Sequence, residues 1–497
     1  MSTKHPLLRF AFLIVLAITA TLQISSAKPQ TGPALVLKPC EIEGLNGPAK
    51  CGTLEVYENR ATRKGRKIGL YVVVLPATGQ KREPDPLFYF AGGPGGAAAS
   101  EDAAGAAQGF AKIREHRDLV FVDQRGTGLS NGLDCPMYDP NDAQSHLGYF
   151  FPLEVVRKCR EQLEQKADLT LYTTTIAMDD IDEVRAALGY EKINVFGGSY
   201  GTRAATVYLR RYPKRVRAAW LQGISLRNQY LPRDYPRDAE RALQGILAEC
   251  AADEACNKTF PDVKNEAKAV FERLNKGPVE AEIRTPNPSG PTPIMAKVSL
   301  NRNLAAEAIR YMLYHPQPAG RIPLFLHLAA EGNFAPLAQA AYGYRRNLVG
   351  PGSNGMFLAV TCAEDVPWIK PGEGERIAEN TFLGDYRLQQ QREACALWPR
   401  AKLEPDYTKS FTSDVPALIV TGEWDPVTPP AYGDELAHTF KSNLHVVVPH
   451  GGHGIGGLDG MDCIDRLTAA FVESGTTTGL DTACVKSIRR RGFALKL

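Results

Sequence analysis

Val195-Phe196-Gly197-Gly198-Ser199-Tyr200-Gly201-Thr202 is the stretch on which the fold of this chain turns. The apolar run 193–196 reads as a buried strand, and 202–212 reads as a helix. Between them stands Gly-x-Ser-x-Gly with Ser199 at its centre. Where a strand turns sharply into a helix, the central side chain stands exposed at the apex on strained backbone. Small residues two before and two after it, here Gly197 and Gly201, let strand and helix approach closely. The same pattern also occurs in ordinary turns, so its weight comes from what surrounds it.

Working outward, 85–91 is a short apolar strand that runs into Gly92-Gly93-Pro94-Gly95-Gly96. A glycine-rich loop at a strand end lets backbone N–H groups face a ligand. No Gly-Lys-Ser/Thr follows, which excludes a phosphate loop. The run 118–123 is another buried strand and ends in Gln124-Arg125-Gly126-Thr127-Gly128-Leu129-Ser130. Nearer the N-terminus, 51–57 and 68–75 are rich in β-branched and aromatic residues, and the basic stretch 60–67 between them reads as a hairpin turn. Residues 177–188 carry Ile181, Val184 and Leu188 on one helical face, and 218–223 is a further apolar strand. Strands separated by helical stretches imply parallel β-α-β units and a sheet covered on both faces.

From 226 to 413 the spacing is mostly helical, with no clear strand series, and reads as an inserted helical cap. The sheet pattern then resumes. Residues 415–420 end in Thr421-Gly422-Glu423-Trp424-Asp425-Pro426-Val427-Thr428-Pro429, and 444–448 end in Pro449-His450-Gly451-Gly452-His453-Gly454. A helix over 463–473 closes the pattern. The expected organisation is therefore an α/β core over 28–225, the cap over 226–413, and the rest of the core over 414–497.

Three groups now stand in the order Ser199, Asp425, His453, each just beyond the C-terminal end of an expected strand, where ligands collect in open α/β sheets. That is the order of α/β-hydrolases. A serine hydroxyl is a poor nucleophile near neutral pH and needs a base, which His453 supplies. A buried Asp425 would hold the imidazole in one tautomer and stabilise its positive charge. The oxyanion needs preorganised donors, expected from the backbone N–H of Tyr200 and from the glycine loop, at Gly93. Rivals exist for each role. Asp425 could merely open the turn before Pro426, Glu423 could be the acid, and His450 could be the base. His453 is preferred because Gly452 and Gly454 flank it.

The stretches at 92–96, 123–130, 197–202 and 422–429, taken together, resemble the α/β-hydrolase family of serine aminopeptidases, which includes proline iminopeptidases and secreted tripeptidyl aminopeptidases. The tripeptidyl branch fits best, since Asp462-Cys463-Ile464-Asp465-Arg466, Leu480-Asp481-Thr482-Ala483-Cys484 and Thr361-Cys362-Ala363-Glu364-Asp365 also resemble it. Ala91 stands where proline iminopeptidases usually carry histidine, which weakens that branch and leaves the backbone oxyanion role intact. The resemblance implies removal of residues from free peptide N-termini, with a cap acid on the ammonium group; Glu364 is the best match. A carboxylate in a partly desolvated cleft favours a cationic terminus. Glu364 could equally be a surface acid or the partner of an arginine. Asp123 and Arg125 are expected to brace the loops around the site.

At 497 residues and 44% hydrophobic composition the chain can bury a large core. A net charge of +3 gives no argument for nucleic acid, and the basic run 486–491 reads as a solvated end. Lys4, His5 and Arg9 precede the apolar run 10–22, and Ser25-Ser26-Ala27 supplies small residues at a cleavage site. Residues 1–27 are thus expected to be a secretory signal peptide, and the protein to be exported, periplasmic or secreted, without a membrane anchor. In that compartment the ten cysteines are expected to form disulfides. Local couples would be Cys40 with Cys51, Cys135 with Cys159, Cys250 with Cys256, Cys362 with Cys395, and Cys463 with Cys484. Paired Cys-x-x-Cys spacing is absent from the sequence, so no zinc site is expected.

The leading expectation is an exported serine hydrolase that cleaves peptides with a free N-terminus through an acyl-enzyme on Ser199, with no metal or organic cofactor. The rivals are the same triad acting on carboxylic esters, and a binding scaffold built on an inactive hydrolase fold.

Overall fold

In the computed structural model the described residues are 1–2, 35–287, 289–349 and 353–497. The expected leader over 1–27 therefore lies outside the described residues, apart from Met1 and Ser2. Among the described residues no helix is long and apolar enough to cross a membrane.

A nine-stranded sheet organises the chain, in the order β1-β2-β3-β5-β4-β6-β7-β10-β11. β1 (Lys38–Cys40), β2 (Ala49–Tyr57) and β3 (Lys67–Leu75) form an antiparallel edge that joins β5 (Leu119–Val122) antiparallel. From β5 onward the neighbours are parallel: β4 (Leu87–Phe90), β6 (Ile193–Gly198), β7 (Val216–Gln222), β10 (Ala417–Gly422) and β11 (Asn443–Val448).

The parallel centre is covered on both faces, which is why its strands read as continuous apolar runs. β5 shows the division. Val120 and Val122 pack into a core with Ala177, Ile181 and Val184 of the helix Thr174–Ala187 and with Ala204 and Ala205 of the helix Tyr200–Arg211. Leu119 and Phe121 point the other way, into a core with Ala103, Ala107, Phe110, Leu467 and Phe471. Successive side chains of a strand alternate faces, so one four-residue strand supplies both cores.

Between β7 and β10 the chain is mainly helical, with one departure from the sequence reading. β8 (Val279–Asn287) and β9 (Gly290–Leu300) form an antiparallel hairpin. The alternation of buried Val279, Ala281 and Ile283 with exposed residues is the period of a one-sided strand. The insertion is also not a self-contained body. Its first part builds its own core from residues such as Leu243, Ile246, Leu304, Ile309 and Leu337. The helix Asn354–Glu364, through Met356, Leu358 and Val360, joins the main core instead.

All ten cysteines pair in the five local couples read from the sequence, and none is free.

Candidate active site

Ser199 sits between β6 and the helix Tyr200–Arg211 at φ 55°, ψ −125°. A non-glycine residue there is strained, by about 1–3 kcal/mol, and persists only where its surroundings hold it. Here they do. Its N–H donates to the Gln222 carbonyl at 2.9 Å, and its carbonyl accepts from the Thr202 N–H at 2.9 Å and the Thr202 hydroxyl at 2.6 Å. The flanking glycines are required by distance. A Cβ on Gly197 would lie 2.4 Å from the Gly201 carbonyl oxygen, and one on Gly201 would lie 2.1 Å from that of Phe90. Among the described residues the Ser199 hydroxyl makes no hydrogen bond.

The glycine loop after β4 runs past the serine. A Cβ on Gly92 would lie 3.3 Å from Ser199 Cβ and 3.9 Å from its Oγ. Asp123 braces the chain that leaves this loop: its Oδ1 accepts from the N–H groups of Ala99 and Ser100 at 2.7 and 3.1 Å, and its Oδ2 from that of Leu129 at 3.0 Å. Arg125 braces through another partner. It forms a bidentate pair with Asp180, at 2.6 and 2.9 Å, and donates to the Glu58 carbonyl at 2.8 Å.

Asp425, beyond β10, is fully buried. Its Oδ1 accepts from the N–H groups of Val427 and Thr428, both at 2.8 Å, and its Oδ2 from the Thr428 hydroxyl at 2.6 Å. His453, beyond β11, places Nδ1 2.9 Å from Asp425 Oδ2. Burial works against charge on Asp425, but the imidazole and the Thr428 donors outweigh it and hold the carboxyl below its ordinary value. An ionised carboxylate facing Nδ1 fixes the proton there and leaves Nε2 free as an acceptor. The imidazole packs edge-on against Tyr314, centroids 5.0 Å apart. On another side a Cβ on Gly223 would lie 3.3 Å from the His453 Cε1. Gly223 follows Gln222, the residue that anchors Ser199.

A strained serine at a strand-to-helix turn, a glycine loop at van der Waals distance, and an acid–imidazole pair packed beside the residue after the serine's anchor all converge at the C-terminal edge of one parallel sheet. The model of the α/β hydrolase fold matches residues 85–457. The chain belongs to the α/β-hydrolase fold family. Over 92% of both chains it is 27% identical to the serine protease Hip1 of Mycobacterium tuberculosis. It is 26% identical to a tripeptidyl aminopeptidase of Streptomyces coelicolor, over 88% of this chain and 84% of that one. It is 27% identical to carboxylesterase B of M. tuberculosis, over 88% of this chain and 86% of that one.

In this α/β hydrolase the rival acid and base pair elsewhere. Glu423 accepts from the His450 N–H at 2.9 Å, and His450 Nδ1 lies 2.7 Å from Glu249 Oε1. Glu249, Glu423 and His450 form the one group among the described residues whose ligand atoms are close enough for a metal ion. Arg490 already holds Glu249 at 2.9 Å, so a guanidinium takes the place of a cation there.

Glu364, expected to take a substrate's ammonium group, is fully buried. Oε1 accepts from the Thr174 N–H at 2.7 Å, and Oε2 accepts from the Thr174 hydroxyl at 2.7 Å and from the Tyr407 hydroxyl. The Thr174 hydroxyl, its proton given to Glu364, accepts from Tyr200 at 2.7 Å. Glu364 thus supports the residue after the nucleophile. The neighbouring Asp365 differs. Arg203, on the nucleophile's helix, donates to its Oδ1 at 2.9 Å, while Oδ2 has no partner among the described residues. Burial pushes the Asp365 carboxyl up to about 7, against the pull of Arg203 and with the push of Glu364.

Sequence reading missed Thr428, Arg203 and Tyr314. Thr428 was legible: Asp425-Pro-Val-Thr428 is a turn in which an aspartate side chain caps the N–H groups two and three residues on. Arg203 and Tyr314 are brought to the site by tertiary packing and carry no local signal.

Proposed function

We propose that this protein is a serine peptidase that releases residues from free peptide N-termini, with Ser199 as nucleophile, His453 as general base and Asp425 as its orienting acid. The observation that carries the reading is the 2.9 Å contact between His453 Nδ1 and the buried Asp425 Oδ2, on an imidazole packed against the residue that follows Ser199's anchor.

Ser199 Oγ adds to the scissile carbonyl as His453 Nε2 takes its proton. The N–H groups of Tyr200 and Gly93 receive the oxyanion. The imidazolium, stabilised by Asp425, then protonates the departing amine, leaving the acyl group on Ser199. Water, deprotonated by the same Nε2, releases the acyl group and restores the serine.

The free-amine preference draws support from charge. Glu364 and Asp365 are buried against the guanidinium of Arg203, and Asp365 keeps one oxygen without a partner among the described residues. A cationic substrate terminus would complete that balance. The resemblance to tripeptidyl aminopeptidases points the same way. The similarity to carboxylesterase B keeps ester hydrolysis as the second reading, since the triad acts on either bond.

The test is hydrolysis of matched mono-, di- and tripeptidyl fluorogenic amides, their N-acetyl twins and short nitrophenyl esters, with Ser199→Ala as control. Cleavage of free-amine amides that is lost on acetylation supports the peptidase. Cleavage of esters alone, indifferent to an amine, rejects it.

A further inference from the structure

The insertion buries a second group of charges that the triad does not use. Arg310, Arg345 and Arg387 surround one carboxylate, Glu307, and all four residues are 3% exposed or less. Glu307 Oε2 meets Arg310 at 3.3 Å, and its Oε1 lies 3.9 Å from Arg387 Nε, beyond hydrogen-bond distance. Arg345 and Arg387 both stack on the Phe150 ring, at 4.5 and 3.6 Å from its centroid. Arg345 donates to the Tyr138 hydroxyl at 2.6 Å.

A guanidinium stays protonated when buried, so this cluster keeps three positive charges against one negative. Nor are all of its donors used. Arg310 Nε, Arg345 Nε and Nη2, and Arg387 Nε and Nη1 have no acceptor among the described residues. Buried charge without a counter-charge is strongly unfavourable, and each unpartnered donor adds to the cost. The cluster is complete only with an anion in it. Planar forks with parallel N–H groups match a carboxylate, which they bind through two hydrogen bonds at once.

The cluster also reaches the catalytic imidazole. Arg310 donates to the Tyr314 hydroxyl at 3.2 Å, and the Tyr314 ring is the one packed edge-on against His453. One tyrosine separates the guanidinium from the base. We propose that the Arg310–Arg345–Arg387 cluster is a carboxylate-binding subsite of the active centre, which takes a carboxylate of the bound substrate. The peptide reading above supplies the carrier: an acidic side chain or the C-terminal carboxylate of a short peptide.

The test uses the mature full-length protein carrying Ser199→Ala, so that ligands bind without turnover, and isothermal calorimetry with two matched pairs of short peptides. One pair compares a free C-terminal acid with its amide, the other a glutamyl with a glutaminyl side chain. At least one acid member is expected to bind tenfold or more tightly than its neutral twin, and the pair that responds locates the carboxylate. Arg387→Met is expected to bring the ratio towards one. Glu307→Gln, which removes the internal competitor, is expected to raise it; a merely structural ion pair would move both variants in the same direction. Arg387→Lys keeps the charge without the fork, and retains part of the ratio if Arg387→Met fails to fold. Measurable binding of the peptides with ratios near one in both pairs speaks against the proposal, and the esters below decide it.

A separate arm is independent of the peptide reading. Wild-type protein that reacts with a fluorophosphonate is given nitrophenyl hemisuccinate and nitrophenyl butyrate. A tenfold preference for the hemisuccinate that Arg387→Met abolishes upholds the subsite even if no peptide is cleaved. Equal rates on the two esters, together with peptide ratios near one, overturn the subsite while the hydrolase stands.

Discussion

The Glu364 carboxylate accepts both the backbone N–H and the hydroxyl of Thr174, a residue 190 positions earlier in the chain. Through Thr174 it steadies the Tyr200 side chain, and the Tyr200 N–H is the donor proposed for the oxyanion. Glu364→Gln cannot accept all three hydrogen bonds in the same geometry. Loss of one charge-assisted bond costs about 1.5–3 kcal/mol. The expected outcome is a lower melting temperature and about a tenfold drop in kcat, with the preference for free over acetylated amines unchanged. Steady-state kinetics on matched substrates check this; a selective loss of the free-amine preference would return Glu364 to the substrate.

Asp365 makes the opposite prediction. Its carboxyl is pushed up to about 7, first by burial. Below that pH it is neutral and has no charge to offer an ammonium group; above it the charge is present. The KM for free-amine substrates is therefore expected to fall as pH rises through about 7. It should rise again as the substrate's own amine, with a pKa near 7.7–8.0, loses its proton. Asp365→Asn is expected to remove the acid limb and keep the alkaline one. Stability follows the linked sign. The folded state holds this proton more tightly than the unfolded chain, so the stability contributed by protonation is lost between about pH 4 and 7. Thermal melts across that window are expected to be flatter in Asp365→Asn.

The central strands were legible because burial on both faces leaves near-continuous apolar runs, as in Leu119–Val122. Ser199 and Asp425 were legible because each follows such a run, and His453 because it follows the apolar end of the edge strand Asn443–Val448. The hairpin of β8 and β9 was not: its Glu and Ala residues are weak strand formers, and only the period of two betrays it. The burial of Glu364 was hidden for another reason. Nothing near Thr361-Cys362-Ala363-Glu364 shows that Thr174 and Tyr407 will close over the carboxylate. Arg125 shows the same limit, since its partner Asp180 comes from the helix Thr174–Ala187 rather than from its own turn.

Thr428 donates to Asp425 Oδ2 at 2.6 Å and lies 3.0 Å from His453 Nδ1. Thr428→Val keeps the shape and removes the donor. It deprives a buried carboxylate of one of the bonds that hold its pKa down, so the acid is less firmly ionised. A drop in kcat of about 10–100-fold with KM little changed is expected, from about 1.5–3 kcal/mol for such a bond. Asp425→Asn should be far more severe, about 10⁴-fold, because the imidazole then loses its tautomer control. Fluorophosphonate labelling rates separate these two outcomes without reference to any substrate.

Gly201 tests whether the turn, rather than its sequence pattern, makes the site. A Cβ there would meet the Phe90 carbonyl carbon and oxygen at 2.8 and 2.1 Å, and the Ala91 carbonyl oxygen at 2.9 Å. These are backbone atoms of the strand that leads into the glycine loop, so they cannot swing aside as a flexible side chain would. Gly201→Ala must push the nucleophile's helix away from β4, which separates Ser199 from the proposed Gly93 donor. Overpacking of this kind costs about 1–3 kcal/mol. Reduced thermal stability is expected together with a loss of at least a hundredfold in labelling rate. Gly105 is the matched control: it is helical and exposed, and a Cβ there meets nothing within 4 Å. Gly105→Ala is expected to leave activity unchanged and to stabilise by about 0.5–1 kcal/mol, the usual helical difference between the two residues. Equal behaviour of the two variants would show that close approach of strand and helix is not what holds the serine in place.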